Sequence, residues 1–399
     1  MISFAIIGAG DRARKLMEFA RRNPARVTVT AVADPNAVHR NRMAQTFGIP
    51  DSRCFTDWKE LLAQDKIADA MLIATPDRLH YEPAMRSLDK GYHLLLEKPI
   101  ACTLEHCTDI AAKARDKGLL AGVCHVMRYF PSYCKGRELI LGGAVGKVIS
   151  INHREAVGID RMLHSFVRGI WNNSDTSNPM ILSKCCHDLD MLVWITGGHA
   201  QAVSSFGSLD WFKAENAPAG STLRCIDCPI EKECRFSAVD IYLRRHKWLR
   251  HFDKTDDRSL TEMLHSSPYG LCAYRCGNNV VDHQVVSFKL QGGAVVNLAM
   301  DVFSNEEGRE THIMGSQGEI KIWEEEVEYT HFMKGTTRYQ FDHLPLAGEY
   351  HYGADLLIVE DFVKALEGGN RASFAASIED SIEGHRIAFE AEQARLKWR

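Results

Sequence analysis

The residues best equipped for chemistry open the chain. Gly8-Ala9-Gly10-Asp11-Arg12-Ala13 follows an apolar run and fits G-x-G-x-x-G/A. In such a turn the first glycine allows a tight reversal and the second lets the backbone approach a pyrophosphate. Ala13, in the third place, is a tolerated packing change. Helix N–H groups and the helix dipole then favour the phosphates. Asp34 ends the next apolar run, where a carboxylate holds ribose hydroxyls. A bare glycine motif is weak, but its pairing with Asp34 outweighs a turn plus a surface acid. A carboxylate there, followed by Pro35 rather than Arg, repels a 2′-phosphate and favours NAD; His39, Arg40 and Arg42 leave NADP open.

Three more segments sit at the ends of apolar runs, and ligands of open α/β sheets bind outside the carboxyl ends of strands. They are Ala74-Thr75-Pro76-Asp77-Arg78-Leu79-His80, Glu97-Lys98-Pro99, and Gly122-Val123-Cys124-His125 with Arg128 beyond. Thr75, Pro76, His80, Glu97, Lys98 and Arg128 thus join Gly8, Gly10, Asp11, Arg12 and Asp34 as candidate cofactor ligands. Lys98 follows Leu94-Leu95-Leu96, near the buried end of a strand; Glu97 points the other way if strand geometry persists. An ammonium in a cleft lowers the energy of a developing alkoxide. Alone, such a lysine would more often be a solvated turn residue. His164-Ser165-Phe166-Val167-Arg168-Gly169-Ile170-Trp171 combines imidazole, guanidinium and indole, which suit hydroxyls, acid groups and sugar faces. His164, Arg168 and Trp171 are therefore candidate substrate ligands, against a reading as a connector with core aromatics. His153 and Glu155, and Asp282 with His283, are weaker candidates.

Cys225-Ile226-Asp227-Cys228 with Cys234 gives C-x2-C-x5-C, and Cys272 and Cys276 come later. Three close thiols and a remote one suit tetrahedral zinc. Around them Asp227, Glu231, Lys232, Glu233 and Arg235 leave too little apolar surface for the segment to order itself, so a metal staple has a physical reason. The expected structural site is Cys225, Cys228, Cys234 and Cys272, with Cys276 as the substitute fourth ligand. Uncoordinated thiols and an iron–sulfur cluster are the alternatives.

Elements must position these groups. Apolar runs at 2–7, 27–33, 70–74, 93–96 and 119–123 alternate with amphipathic stretches at 13–22, 38–47, 79–90 and 104–117. That alternation predicts an α/β domain over 1–124, a Rossmann-type doubly wound parallel sheet covered on both faces. Beyond residue 125 strand signals come without a helix after each, at 148–153 and 202–208, then as a hairpin of 283–290 and 294–301 about Gly292-Gly293. Runs at 310–314, 319–323 and 327–332 continue it as a meander. This predicts an α+β domain over 125–399 with a large open, mostly antiparallel sheet. Helices are expected at 182–195, 355–366 and 376–395, the last two packing back on the first domain. Residues 213–270 read as an insertion.

The 399 residues suggest two or three domains. A formal charge of −4 gives no basic excess for nucleic acid. No apolar run approaches the ~18 residues of a membrane span. The opening Met1-Ile2-Ser3-Phe4-Ala5-Ile6-Ile7 lacks a basic segment and a cleavage site and reads as a strand. A cytoplasmic location with reduced thiols is the expectation.

Together, Gly8–Ala13, Asp34, the 74–80 loop, Glu97-Lys98-Pro99 and the 122–128 segment resemble the Gfo/Idh/MocA family of NAD(P)-dependent sugar oxidoreductases, over essentially the whole chain. The resemblance implies that Lys98 sits beside the nicotinamide and the reacting hydroxyl, and that Pro99 follows a cis peptide. The family's Asp-x-Gly-x-His-x-x-Asp motif is read here as Ser183-Lys184-Cys185-Cys186-His187-Asp188-Leu189-Asp190. His187 and Asp190 match; Ser183 and Cys185 depart. On a helix Ser183, His187 and Asp190 share a face, and Lys184 neighbours His187. His187 is then the general base, since imidazole titrates near working pH. Lys184 assists it or binds substrate, and Asp190 is a substrate ligand. The implied enzyme moves hydride between a nicotinamide and a hydroxyl of a sugar, sugar acid or cyclitol, as a homodimer or homotetramer. Its rivals are glycoside cleavage by transient oxidation, drawing on Lys184, His164 and His153, and a non-catalytic dinucleotide sensor.

Overall fold

Strands buried on both faces must be apolar throughout, and the first element obeys: in β1 (Ile2–Ile7), Phe4 to Ile7 are at most 1% exposed. The computed structural model describes residues 1–249, 252, 254–341 and 353–398. Arg250, His251 and Asp253, part of the expected insertion, lie outside the described residues. With β2 (Val27–Ala33), β3 (Cys54–Phe55), β4 (Ala70–Ile73), β5 (His93–Leu96) and β6 (Ala121–Val123), β1 forms a parallel sheet in the order β3-β2-β1-β4-β5-β6. Strand order reverses between β1 and β4, which opens the crevice where such sheets take ligands. Connecting helices are α1 (Asp11–Arg22), α2 (Ala37–Phe47), α3 (Trp58–Ala63), α4 (Tyr81–Asp89) and α5 (Leu104–Asp116). α1 buries Ala13, Leu16, Met17 and Ala20, one face at helical spacing. Asn36 and Thr103 cap α2 and α5 through side-chain oxygens.

After α6 (Pro131–Leu141) come β7 (Val148–Ala156), the short turns α7 (Ile159–Arg161) and α8 (Met180–Ser183), α9 (Cys186–Thr196), β8 (Ala200–Ser208) and α10 (Asp257–Ser266). The chain continues through β9 (His283–Leu290), β10 (Val295–Asp301), β11 (Gly308–Gly315), β12 (Gly318–Ile322), β13 (Glu326–His331) and β14 (Gly335–Gln340), then α11 (Ala354–Glu367) and α12 (Ile378–Leu396). Strands β7 to β14 make an eight-stranded sheet, β14-β13-β12-β11-β7-β10-β9-β8. It is mostly antiparallel, but the expected unbroken meander is corrected. β10 pairs with β9 antiparallel and with β7 parallel, so β7 separates β10 from β11. The side-chain alternation explains the fit: buried Val296, Leu298 and Met300 stand in register with buried Ile151, His153 and Glu155.

The chain divides into two compact units. One holds 1–149, 186–200 and 314–389; the other holds 150–185, 201–313 and 390–399. The first unit thus includes α9 and α11, and α11 returns to the parallel sheet. Phe362 of α11 meets Phe4 at 5.9 Å between rings, and Val123 of β6 donates its N–H to Ala376 O at 3.0 Å. Among the described residues no helix is long and apolar enough to cross a membrane.

Candidate active site

In the first unit the glycine turn has the geometry a dinucleotide needs. Gly8 adopts φ +88°, and a Cβ there would stand 2.6 Å from Ala74 O, so no other residue fits without strain. A Cβ on Gly10, the N-cap of α1, would meet nothing within 4 Å. That open backbone at a helix N-terminus leaves room for a pyrophosphate. Asp34 is fixed beside it: Oδ2 accepts from Ala9 N at 2.6 Å and Oδ1 from Asn36 N at 2.7 Å. Arg40 donates to Asp34 O at 2.6 Å. Asp11 is held down to about 2: burial alone would raise it, but Lys15 and Arg14 pair with it.

The strand-end loops are tied to each other. His80 is fully buried, with Nδ1 2.7 Å from Pro99 O and Nε2 2.9 Å from Thr75 O. It therefore fixes the loop of Thr75 and Pro76 to the turn after Lys98. Arg12 binds Glu97 Oε1 through Nε at 2.7 Å and Asp355 Oδ1 through Nη2 at 2.7 Å, joining α1, the end of β5 and α11. The Lys98–Pro99 bond is cis. Lys98 is half-buried, and its ammonium acts on the thiols of Cys124 and Cys186 and on His385. Burial pushes the Cys186 thiol up to about 12 despite that charge, so it stays neutral.

Behind Lys98 lies a sealed polar cluster. Arg128 grips Asp190 bidentately, Nε to Oδ2 at 2.8 Å and Nη2 to Oδ1 at 2.6 Å. His125 Nδ1 stands 2.8 Å from Asp190 Oδ2. Burial would raise the Asp190 carboxyl, but Arg128 and His125 hold it well below the usual carboxylate range. Arg128 and Asp190, 2% and 1% exposed, are committed to each other. This corrects two expectations: Arg128 is not presented to a cofactor, nor Asp190 to a substrate. The His125 ring lies 5.6 Å from that of His187 and 5.5 Å from that of His385. His385 accepts from Ile100 N through Nε2 at 2.9 Å, and its Nδ1 lies 2.9 Å from Ser381 O. No motif surrounds His385 on α12, so its sequence context gives no sign of this position. His187 itself keeps partial exposure.

The helix expected over 182–195 is broken. α8 ends at Ser183, Lys184 and Cys185 form a turn, and α9 starts at Cys186. The expectation of one unbroken helix carrying Ser183, His187 and Asp190 is thereby corrected. Lys184 Nζ instead binds Glu155 Oε1 at 2.5 Å.

Burial holds the His385 imidazole down to about 3, with His125 adding to the effect. The folded state therefore keeps it neutral, while the unfolded chain protonates it near its ordinary 6.5. Its contribution is fully present above about pH 6.5 and is lost as pH falls toward 3. The expected loss is on the order of a few kcal/mol. A His385→Gln variant keeps both hydrogen-bonding roles and cannot titrate. Its denaturant-melt stability should fall less steeply than wild type between pH 6.5 and 4; equal slopes would refute the assignment.

The second unit holds the remaining candidates. His153 Nδ1 meets Thr311 Oγ1 at 2.8 Å, and buried Glu155 also binds Arg309 Nε at 2.8 Å. His164, 2% exposed, is stacked between Trp248 at 5.3 Å and Tyr269 at 5.0 Å, with Nδ1 2.9 Å from Tyr242 Oη. Trp171 packs 5.9 Å from Phe166. Arg168 is 1% exposed; Nε donates to Leu271 O at 2.7 Å and Nη2 to Phe236 O at 2.6 Å. Arg168 is thus an internal anchor of the insertion, which corrects its expected role as a substrate ligand. Asp282 accepts from Asp210 N and Trp211 N. Cys225, Cys228, Cys234 and Cys272 line one cavity, while Cys276 Sγ turns to Cys272 O at 3.1 Å. Among the described residues no group of three or more His, Cys, Asp or Glu is placed to hold a metal ion. The single zinc expected there is therefore not supported: tetrahedral Zn–S bonds of about 2.3 Å need sulfurs about 3.8 Å apart.

Two family models match the chain. One, described as the oxidoreductase family's NAD-binding Rossmann fold, matches residues 2–125; the other, its C-terminal alpha/beta domain, matches residues 137–395. The chain belongs to the Gfo/Idh/MocA oxidoreductase family. Among curated Gfo/Idh/MocA-like relatives, 2,7-anhydro-N-acetylneuraminate hydratase of Escherichia coli K12 is 26% identical over 208 residues, covering 52% of this chain and 53% of that protein. The 1,5-anhydro-D-fructose reductase of Ensifer adhaerens is 29% identical over 138 residues, 34% and 40% of the two chains. The first of these matches thus spans about half the relative's length. Scyllo-inositol dehydrogenase from Lactobacillus casei, solved with NAD(H) and scyllo-inositol, superposes with a TM-score of 0.67 at 17% identity, covering 100% of this chain and 97% of that one. At that identity the likeness shows the fold. The model described as an NAD-binding Rossmann fold matches the part of the chain that holds the glycine turn, Asp34 and Lys98.

Proposed function

We propose that this oxidoreductase moves a hydride between NAD and a hydroxyl-bearing carbon of a sugar, sugar acid or cyclitol, with Lys98 and His187 handling the hydroxyl. One observation carries the reading. In the ionisable cluster beyond β5 and β6, Asp190, Arg128, His125 and His385 are sealed in, while Lys98 and His187 keep access to solvent.

Gly8, Gly10 and the start of α1 would hold the pyrophosphate and Asp34 the ribose; the carboxylate fixed by Ala9 and Asn36 supports NAD over NADP. When bound, the nicotinamide supplies the two-electron exchange with the reacting carbon. His187 takes the hydroxyl proton and returns it in the reverse direction. Lys98 donates a hydrogen bond to the same oxygen and lowers the energy of the alkoxide. Asp190 and Arg128 keep α9, and with it His187, in place. Exposed Val285 and Val295 on the open face of the second sheet support a homodimer or homotetramer, and a cytoplasmic setting completes the proposal.

A Lys98→Met variant should bind NAD with unchanged affinity and lose about a hundred- to a thousand-fold in kcat. NADH absorbance with a panel of sugars, sugar acids and cyclitols gives the rate, and fluorescence titration gives the affinity. A loss below about tenfold would sink the role assigned to Lys98. Redox-assisted glycoside cleavage is the second reading, favoured by the likeness to a hydratase of an anhydro-sugar. Release of an aglycone without net NADH would establish it over simple dehydrogenation.

A further inference from the structure

The insertion of the second unit holds four thiols around one space. Cys228 N donates to Cys225 O at 3.2 Å, Glu231 N to Cys228 O at 3.1 Å, and Cys234 N to Glu231 O at 3.1 Å. These consecutive turns fold C-x2-C-x5-C back on itself. A bridge between Arg224 and Leu271, with Cys272 N donating to Leu223 O at 2.8 Å, brings the distant Cys272 alongside. The four side chains line one partly open cavity, with Phe236 and Tyr274 also in its wall. None of the twelve cysteines forms a disulfide.

Arg168 is the second, independent observation. Its guanidinium is buried, and Nη2 stands 3.7 Å from Cys225 Sγ. Nη1 is buried without a partner, and the other acceptors are backbone carbonyls. No carboxylate pairs with it among the described residues. Burying a cation against neutral thiols is strongly unfavourable. Four bare thiolates would err the other way, with far too much negative charge. Thiolates around a cationic core remove both problems. A single ion would draw the sulfurs together, and these thiols are not placed to hold one. A larger core, in which each sulfur binds its own iron, accepts thiols set further apart.

We propose that Cys225, Cys228, Cys234 and Cys272 hold a four-iron, four-sulfide cluster, with Arg168 donating N–H to its thiolates from the buried side. Four thiolates on such a core carry a net charge of about −2, which Arg168 partly offsets. Hydrogen bonds to cluster sulfurs are an established means of tuning such centres. The cluster's role is to order a polar segment that lacks apolar surface of its own.

The test is elemental analysis of the full chain, purified without oxygen and also after reconstitution with ferrous iron and sulfide. About four iron and four acid-labile sulfide per chain are expected, with broad thiolate-to-iron absorption in the visible. Cys228→Ser should lose iron and absorption, while Cys134→Ser, an exposed thiol outside the cluster, should keep both. About one zinc per chain without iron would overturn the cluster in favour of a single ion. Neither metal after reconstitution would overturn the site. The wild-type metal content decides the matter even if Cys228→Ser fails to fold.

Discussion

A His187→Asn variant is expected to lose between about a hundred- and ten-thousand-fold in kcat, the range that a positioned acid–base group contributes. The fold should survive, because His187 is partly exposed and its ring contact with His125 is a 5.6 Å edge approach rather than a core contact. Asparagine can still hydrogen-bond a hydroxyl but cannot take its proton. Substrate KM should therefore change little while kcat collapses, and the acid limb of the kcat pH profile should vanish with the base. A variant that kept more than about a tenth of wild-type kcat, or the same acid limb, would remove His187 from the proton path. The base would then have to be sought elsewhere around Lys98.

Asp190→Asn should do its damage through stability. The carboxylate grips Arg128 bidentately and faces His125, and all three are buried. Removing one partner of such a pair leaves an uncompensated buried cation, at a cost of about 3–5 kcal/mol. For a unit of this size that corresponds to a melting temperature lower by roughly 6–20 °C. The companion double variant Arg128→Met/Asp190→Asn should recover part of the loss, since the stranded charge goes with the arginine. A melt unchanged within about 2 °C would show that the pair contributes little. Because Arg128 and His125 hold the Asp190 carboxyl low against burial, the wild-type contribution is present above the ordinary carboxylate pKa and fades as pH drops below it. The asparagine variant lacks that acid dependence.

Which features could be seen in the sequence follows from the range of the forces involved. The parallel sheet was legible because doubly covered strands are apolar at every position and their helices show a buried face at helical spacing. β3 and α3 have two and six residues, too few for a period to show. The break at Lys184 and Cys185 left no trace, since neither residue opposes a helix; Lys184 is drawn instead to Glu155, a partner remote in sequence. The same holds for Arg128 with Asp190, and for His385 with Ile100, 285 residues apart. Each looks like an ordinary polar residue until the chain brings its partner. A guanidinium near aromatics suits sugars, but the carbonyls of Leu271 and Phe236 claim that of Arg168. For the cysteines, spacing announced that thiols would meet, and it was silent on how far apart the sulfurs would stand.

The return of α11 to the parallel sheet has a consequence for synthesis. The surface of α1 and β1 that receives Asp355 and Phe362 leaves the ribosome about 340 residues before those partners. At roughly 5–20 residues per second, that interval lasts tens of seconds. During it the nascent nucleotide-binding half carries Phe4 and Arg12 uncovered, a target for chaperones and an opening for misassembly between neighbouring polysomal chains.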